Sequence, residues 1–272
     1  MTKSCVLDCH YSCFDRGWFI KMYSNSTLVV VPARGNSKRV QNKNSLVIHG
    51  QPMIYWPLMA ISENFNPDGI IISTDSENIR LLSEKKGLDV PFKRPDYLSD
   101  DHTGTFEVVA HALSWFERNI RPVDFVLTIY PTAILLNFDD IEAAMTLLVT
   151  DERADGVMPI VTYPHPIHRA LFSNSDEFLE MLQPANFEKR TQDFSPAYHD
   201  AGQFYLFKSE IVRDGYSLAK ANIKGLLLDR DKVVDIDTPE DLKIAQEKLR
   251  KKFDDTVNYD WNFKNKAWVK NF

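Results

Sequence analysis

Residues 32–44 read PARGNSKRVQNKN and gather four cations, Arg34, Lys38, Arg39 and Lys43, around Gly35. Backbone N–H groups and cations that converge in one loop suit the oxygens of a polyphosphate, and a glycine lets the backbone come close. The spacing is neither a P-loop nor GxGxxG, and charge alone would equally describe a solvated basic loop. Near the other end, Val234-Asp235-Ile236-Asp237-Thr238 reads as the close of a strand. Alternation then puts Asp235 and Asp237 on one face. Two carboxylates with a shared direction are hard ligands for Mg²⁺, which commonly takes one or two carboxylates plus phosphate oxygens. The competing reading has Asp237 capping the next helix and Asp235 solvated. A basic loop and paired acids on one sheet edge would together bind and polarise a nucleoside triphosphate.

Placing those two segments on one edge requires a particular chain rhythm. Thr27–Pro32 (TLVVVP), Gly69–Ser73 (GIIIS) and Asp124–Tyr130 (DFVLTIY) are short apolar runs of the kind that form buried parallel strands. Helical patterns fall between them, near Met53–Asn64, at Ser76–Lys86 with Gly87 just past its end, at Thr105–Arg118 and at Asp139–Val149. Strands separated by helices predict βαβ units and a Rossmann-like α/β fold: a mainly parallel sheet with helices on both faces. Ligands in such sheets bind outside the carboxyl ends of the strands, where the basic loop begins. Residues 162–201, rich in Pro, His, Asn and aromatics, break the rhythm as an inserted excursion. Strands are expected again at Gly202–Phe207, Lys224–Leu228 and Lys232–Ile236, then a helix opening at Thr238-Pro239-Glu240-Asp241. The expected organisation is an extension over 1–26, a domain over 27–250 and a tail over 251–272 without a clear partner.

The composition fits that picture. Of 272 residues, 44% are hydrophobic and 26% charged, enough for one sizeable core. The net charge of −6 argues against a nucleic-acid-binding protein. No stretch approaches the roughly 20 apolar residues that span a bilayer, and the N-terminus has no secretory pattern, so a cytoplasmic protein is expected. Cys5, Cys9 and Cys13, with His10 between them, match neither paired CxxC zinc spacing nor a disulfide framework. A poorly ordered extension is the expectation there.

Several blocks then carry a resemblance. PARGNSKR with the following KN, STDSENI (Ser73–Ile79), KRPDYLSDD (Lys93–Asp101) and DIDTPED (Asp235–Asp241) resemble the sialic-acid cytidylyltransferase family, of nucleotide-diphospho-sugar transferase type, in order and separation. The likeness covers roughly residues 28–249. IYPTA (Ile129–Ala133), YPHPIHRAL (Tyr163–Leu171), RTQDFSPAYHDAGQFY (Arg190–Tyr205) and LSDDHTGT (Leu98–Thr105) are most similar to the pseudaminic acid branch. The N-acetylneuraminate enzymes tend to carry QPTSPL and RPNG where this chain has YPTAIL and HDAG.

The resemblance implies transfer of CMP from CTP to pseudaminic acid, with Mg²⁺ as cofactor and pyrophosphate as the second product. The alternatives are N-acetylneuraminic acid or another nonulosonate as acceptor, or a catalytically inactive nucleotide-binding regulator. It implies that Arg34, Lys38 and Lys43 hold the CTP phosphates, assisted by Ser37 and Asn44, and that Arg34 and Lys43 steady charge on the departing pyrophosphate. Arg94 and Thr105 would lie beside cytosine or ribose, and Asp235 and Asp237 would ligate magnesium. His168, Arg169, Arg190, His199, Asp200 and Gln203 would face the nine-carbon sugar acid, whose carboxylate calls for a cation such as Arg190. It further implies a homodimer formed through the 162–201 excursion. One departure is Asn36, which stands where the family has a second loop glycine.

Overall fold

The computed structural model describes residues 23–35, 37, 39–215, 220–253, 258–260, 263 and 269–271. The cysteine segment, Asn36 and Lys38 lie outside the described residues. A seven-stranded sheet dominates what is described. Its strands are β1 (Thr27–Pro32), β2 (Ile70–Ser73), β3 (Phe125–Ile129), β4 (Gly156–Thr162), β5 (Tyr198–Asp200), β6 (Phe204–Lys208) and β7 (Ile223–Leu227). The spatial order is β7-β4-β6-β3-β1-β2, with β5 also paired to β4. β1 runs parallel to β2 and β3, and β7 parallel to β4. β6 is antiparallel to both β3 and β4, and β5 antiparallel to β4.

The apolar runs explain why this sheet is buried on both faces. Along β1, Val29 and Val31 enter one core while Leu28 and Val30 enter the other, as strand alternation requires. The first core is covered by helices α1 (Tyr55–Ile61), α2 (Glu77–Lys85), α4 (Phe138–Val149) and α6 (Pro239–Lys252). The second is covered by α3 (Thr105–Asn119), whose Val108, Val109, Ala112, Leu113 and Phe116 form its buried stripe, and by the short α5 (Ser209–Arg213). Trp56, Phe116, Phe204 and Phe207 are fully buried, each contributing about 1.5–3 kcal/mol relative to exposure.

Three expectations need correction. The run at 202–207 continues the sheet as the antiparallel strand β6, because β5 and β6 form one bent return along β4. β4 itself is unanticipated, its pattern interrupted by Pro159. Residues 233–237 form no strand: they run beyond the three-residue turn Arg230–Lys232 without a sheet partner. Alternation nevertheless survives there, with Val234 and Ile236 buried and the two aspartates turned outward. The tail also finds partners. Phe253 packs on Trp56 at 4.9 Å between centroids, and Phe263 is buried with its N–H donating to the Lys86 carbonyl at 3.0 Å.

The 163–197 excursion holds a two-stranded hairpin, Leu171–Ser173 with Leu179–Met181. Leu171, Phe172, Phe178, Leu179, Leu182 and Phe187 are all exposed on it.

Candidate active site

The loop after β1 turns at once against β2. Ala33 N–H donates to the Ser73 carbonyl at 2.9 Å, and Gly35 N–H donates to Asp75 Oδ1 at 2.7 Å. A Cβ on Gly35 would stand 2.8 Å from Ser76 Cβ, so the close approach that needs glycine is to the start of α2. Buried Asn44 donates through Nδ2 to the Arg34 carbonyl at 2.9 Å and closes the loop on itself.

This loop meets the far end of the chain. Lys43 Nζ donates to the Ile236 carbonyl at 2.6 Å and lies 3.2 Å from Asp237 Oδ1. Arg39 Nη2 pairs with Asp237 Oδ2 at 2.9 Å. Arg34 pairs with Asp101 at 3.0 Å. Arg34, Ser37, Arg39, Lys43, Asn44, Asp101 and Asp237 line one cavity of about 280 Å³. Its cations are held in place by two carboxylates, an arrangement in which an incoming polyphosphate exchanges one set of anionic oxygens for another. Asp101 was not singled out from sequence, although the LSDD motif contains it.

The helix cap bears on the reading of Asp237. Thr238 Oγ1 accepts from Asp241 N–H at 3.2 Å while Thr238 N–H donates to Asp241 Oδ2 at 2.8 Å, with Pro239 at the first helical position. This reciprocal cap leaves Asp237 free of capping duty. Among the described residues no hydrogen bond or ion pair reaches the Asp235 carboxylate. Burial, then the charge of Asp237, raises its pKa above the ordinary carboxylate value, against the pull of Lys43. Among the described residues no cluster of three or more His, Cys, Asp or Glu could hold a metal. An unpartnered, outward-facing carboxylate beside a second one is a donor set that could hold a magnesium ion taking its remaining ligands from phosphate and water.

The other expected residues divide. Arg94 is 4% exposed, its Nε donating to Ser73 Oγ at 3.1 Å and its Nη2 to the Ser73 carbonyl. Burial brings its pKa down to about 10. It braces the end of β2. Thr105 Oγ1 accepts from the Tyr130 hydroxyl at 3.0 Å. His199 and Asp200 line a second, larger cavity of about 920 Å³ together with Asp235. Asp200 accepts from Gly202 N–H at 2.8 Å and from the Tyr205 hydroxyl, and Tyr205 packs edge-on against Tyr130 at 5.5 Å. Burial pushes the Tyr205 hydroxyl pKa up, reinforced by Tyr130 and Asp200. Both tyrosines went unnoticed in the sequence, though the quoted motifs contain them.

Gln203 is 1% exposed and donates through Nε2 to the Lys232 carbonyl at 2.8 Å. His168, Arg169 and Arg190 remain on the excursion. The His168 ring stacks on Phe194 at 4.7 Å, Arg169 donates to the carbonyls of Phe187 and Lys189, and Arg190 pairs with Asp193 at 3.0 Å. None of the three lines either of the two cavities that hold Asp235 and Asp237.

Comparison with known proteins shows the family. A cytidylyltransferase family profile matches residues 28–152. A pseudaminic acid cytidylyltransferase of Campylobacter jejuni is 32% identical over 80% of this chain and 94% of its own length. A CMP-N,N'-diacetyllegionaminic acid synthase of Legionella pneumophila is 27% identical over 80% of this chain and 94% of its own. The solved structure of a CMP:2-keto-3-deoxy-manno-octonic acid synthetase complexed with CTP superposes with a TM-score of 0.62, covering 84% of this chain and all of that one at 14% identity, which speaks to the fold alone. With its loop, its paired aspartates and these relatives, the chain belongs to the cytidylyltransferase family of nucleotidyltransferases.

Proposed function

We propose that this protein transfers CMP from CTP to the anomeric hydroxyl of pseudaminic acid, giving CMP-pseudaminic acid and pyrophosphate. The observation that carries the reading is the meeting of Lys43 and Asp237, 3.2 Å apart and 194 positions apart in sequence, in a cavity that also holds Arg34. The sugar named is that of the Campylobacter relative, supported by the HDAG segment at His199–Gly202.

In this reading the triphosphate enters the basic loop. Arg34 and Lys43 leave their carboxylate partners for phosphate oxygens, with Ser37, Lys38, Arg39 and Asn44 beside them. Thr105 and the base of the loop face the nucleoside, with Arg94 bracing that wall from behind. Asp235 and Asp237 would hold magnesium, which supplies neutralisation of phosphate charge and lowers the pKa of an incoming hydroxyl. The anomeric oxygen forms its bond to the α-phosphorus as the bond to pyrophosphate breaks on the opposite side. The hydroxyl proton goes to solvent or phosphate, and Arg34 and Lys43 stabilise the charge that accumulates on pyrophosphate. Positioning and charge neutralisation supply the acceleration, without a covalent intermediate.

His199 and Asp200 line the larger cavity together with Asp235, and the acceptor sugar is assigned to that cavity. His168, Arg169 and Arg190 are assigned to the sugar acid of a neighbouring subunit. A homodimer formed through the excursion's exposed apolar face would bring them there. Among the described residues no helix is long and apolar enough to cross a membrane.

The test is pyrophosphate release from CTP and Mg²⁺, with pseudaminic acid and N-acetylneuraminic acid offered in parallel. Release with pseudaminic acid alone is the expected outcome. Release with the other sugar alone would keep the chemistry and overturn the reading of His199–Gly202. CTP binding without release from either would point to a nucleotide-binding regulator.

A further inference from the structure

The segment that carries both acidic ligands has no sheet ladder to hold it, yet paired carboxylates can bind a metal only if their separation is fixed. Four side chains supply what a neighbouring strand would. Gln203 Nε2 donates to the Lys232 carbonyl at 2.8 Å, from a buried position between β5 and β6. Lys248 Nζ, on α6, donates to the carbonyls of both Arg230 and Val233 at 2.8 Å. Lys43 Nζ holds the Ile236 carbonyl at 2.6 Å, and Asp241 Oδ2 accepts from Asp237 N–H at 3.1 Å. Lys43 and Asp241 belong to the loop and the helix cap already described. Gln203 and Lys248 have no such duty, and both converge on the few residues just ahead of Asp235. The same sheet bend passes close beside Asp235. Gly202 has φ +62°, and a Cβ on it would stand 3.6 Å from Asp235 Cγ.

We infer that Gln203 and Lys248 are positioning residues for the metal carboxylates: they clamp the unpaired segment 230–233 to the sheet and to α6, and so set where Asp235 stands relative to Asp237. The inference rests on the proposal that these aspartates hold magnesium. It reassigns Gln203 from the sugar to the acids, since a side chain 1% exposed has no surface to offer a substrate.

The experiment measures Mn²⁺ uptake by the enzyme with CTP bound, by electron paramagnetic resonance, and alongside it the melting temperature and metal-free CTP affinity. Gln203→Leu and Lys248→Met each remove a donor while keeping most of the side-chain volume. Each is expected to weaken Mn²⁺ affinity about tenfold or more, leave metal-free CTP affinity within about twofold, and do so in fully folded protein. Lys248→Arg, which keeps a donor, should recover most of the affinity. Asp237→Asn serves as the reference. If that variant loses Mn²⁺ while Gln203→Leu and Lys248→Met bind it normally, the positioning inference falls and the metal site stands. The same holds if the two variants only melt earlier. If the unaltered enzyme with CTP takes up no Mn²⁺, both the metal site and the inference fall.

Discussion

Across the sheet, Leu28, Val29, Val30, Val31, Leu127 and Leu206 are wholly buried, whereas on the excursion Phe178, Leu179 and Phe187 are each about 70% exposed. The two regions are built from the same kinds of side chain and differ in what is available to cover them. The sheet has helices on both faces of its own chain. The hairpin at Leu171–Met181 leaves Leu171, Phe172, Phe178 and Leu179 exposed, the kind of apolar exposure that often marks a face meeting another molecule. The charged residues follow the same division. Those at the strand ends are tied to one another across the fold, as Lys43 is to Asp237. Those described on the excursion are tied within it, as Arg190 is to Asp193 and Arg169 to the Phe187 carbonyl. The residues proposed for nucleotide and metal thus gather at the sheet edge of one chain, whereas those proposed for the sugar on the excursion depend on how it is placed.

The largest effect tests the sheet-edge half. Asp237→Asn should cut turnover about 100-fold or more while circular dichroism and melting stay close to normal. Near-normal turnover would remove Asp237 from the metal site. The contrast in packing comes next. Phe263→Ala, in the buried tail contact, should cost about 3 kcal/mol and lower the melting temperature by roughly 6–12 °C. Leu179→Ser on the excursion should change the stability of the isolated fold by less than about 0.5 kcal/mol, yet shift the sedimentation profile toward monomer. Equal melting losses in the two variants, with no change of assembly in the second, would erase the distinction between the regions.

A smaller effect separates nucleotide from sugar. Arg190→Ala should raise KM for the sugar acid about tenfold and leave KM for CTP unchanged; a matching rise for CTP would move Arg190 to the nucleotide. The smallest concerns stability and pH. Burial and the neighbouring Asp237 raise the pKa of Asp235 in the fold, so at neutral pH its ionised form costs stability relative to the unfolded chain. Asp235→Asn should therefore melt slightly higher than the natural protein at neutral pH. The gain should fade as pH falls through the ordinary carboxylate range, where the unfolded chain is also protonated. A lower melting point at neutral pH would mean that Asp235 is better satisfied than its surroundings suggest.

Much of the α/β reading was legible because it rests on local pattern. TLVVVP, GIIIS and DFVLTI need two buried faces, and Ser76 and Thr238 are helix caps that any context would use. What escaped was whatever depends on distant partners. Pro159 hid β4, because the hydrogen bonds that make it a strand come from β5, β6 and β7. The direction of β6 was hidden too, since parallel and antiparallel strands share one periodicity. The segment at 233–237 read as a strand because its alternation is real, but alternation reports burial and not pairing.

The sequence by itself determined which residues could do the chemistry, since Arg34, Lys43, Asp235 and Asp237 are legible as charge types in two short motifs. It also determined the buried strands of the sheet beside them, because apolar periodicity is a local property of the chain. Only the tertiary structure decided their company: that Lys43 reaches Asp237, that Arg94 and Gln203 are spent on backbone carbonyls, and that the tail closes on Lys86 through Phe263. Such choices depend on which carbonyls and carboxylates remain unsatisfied once the chain has closed on itself, and no local window contains that information.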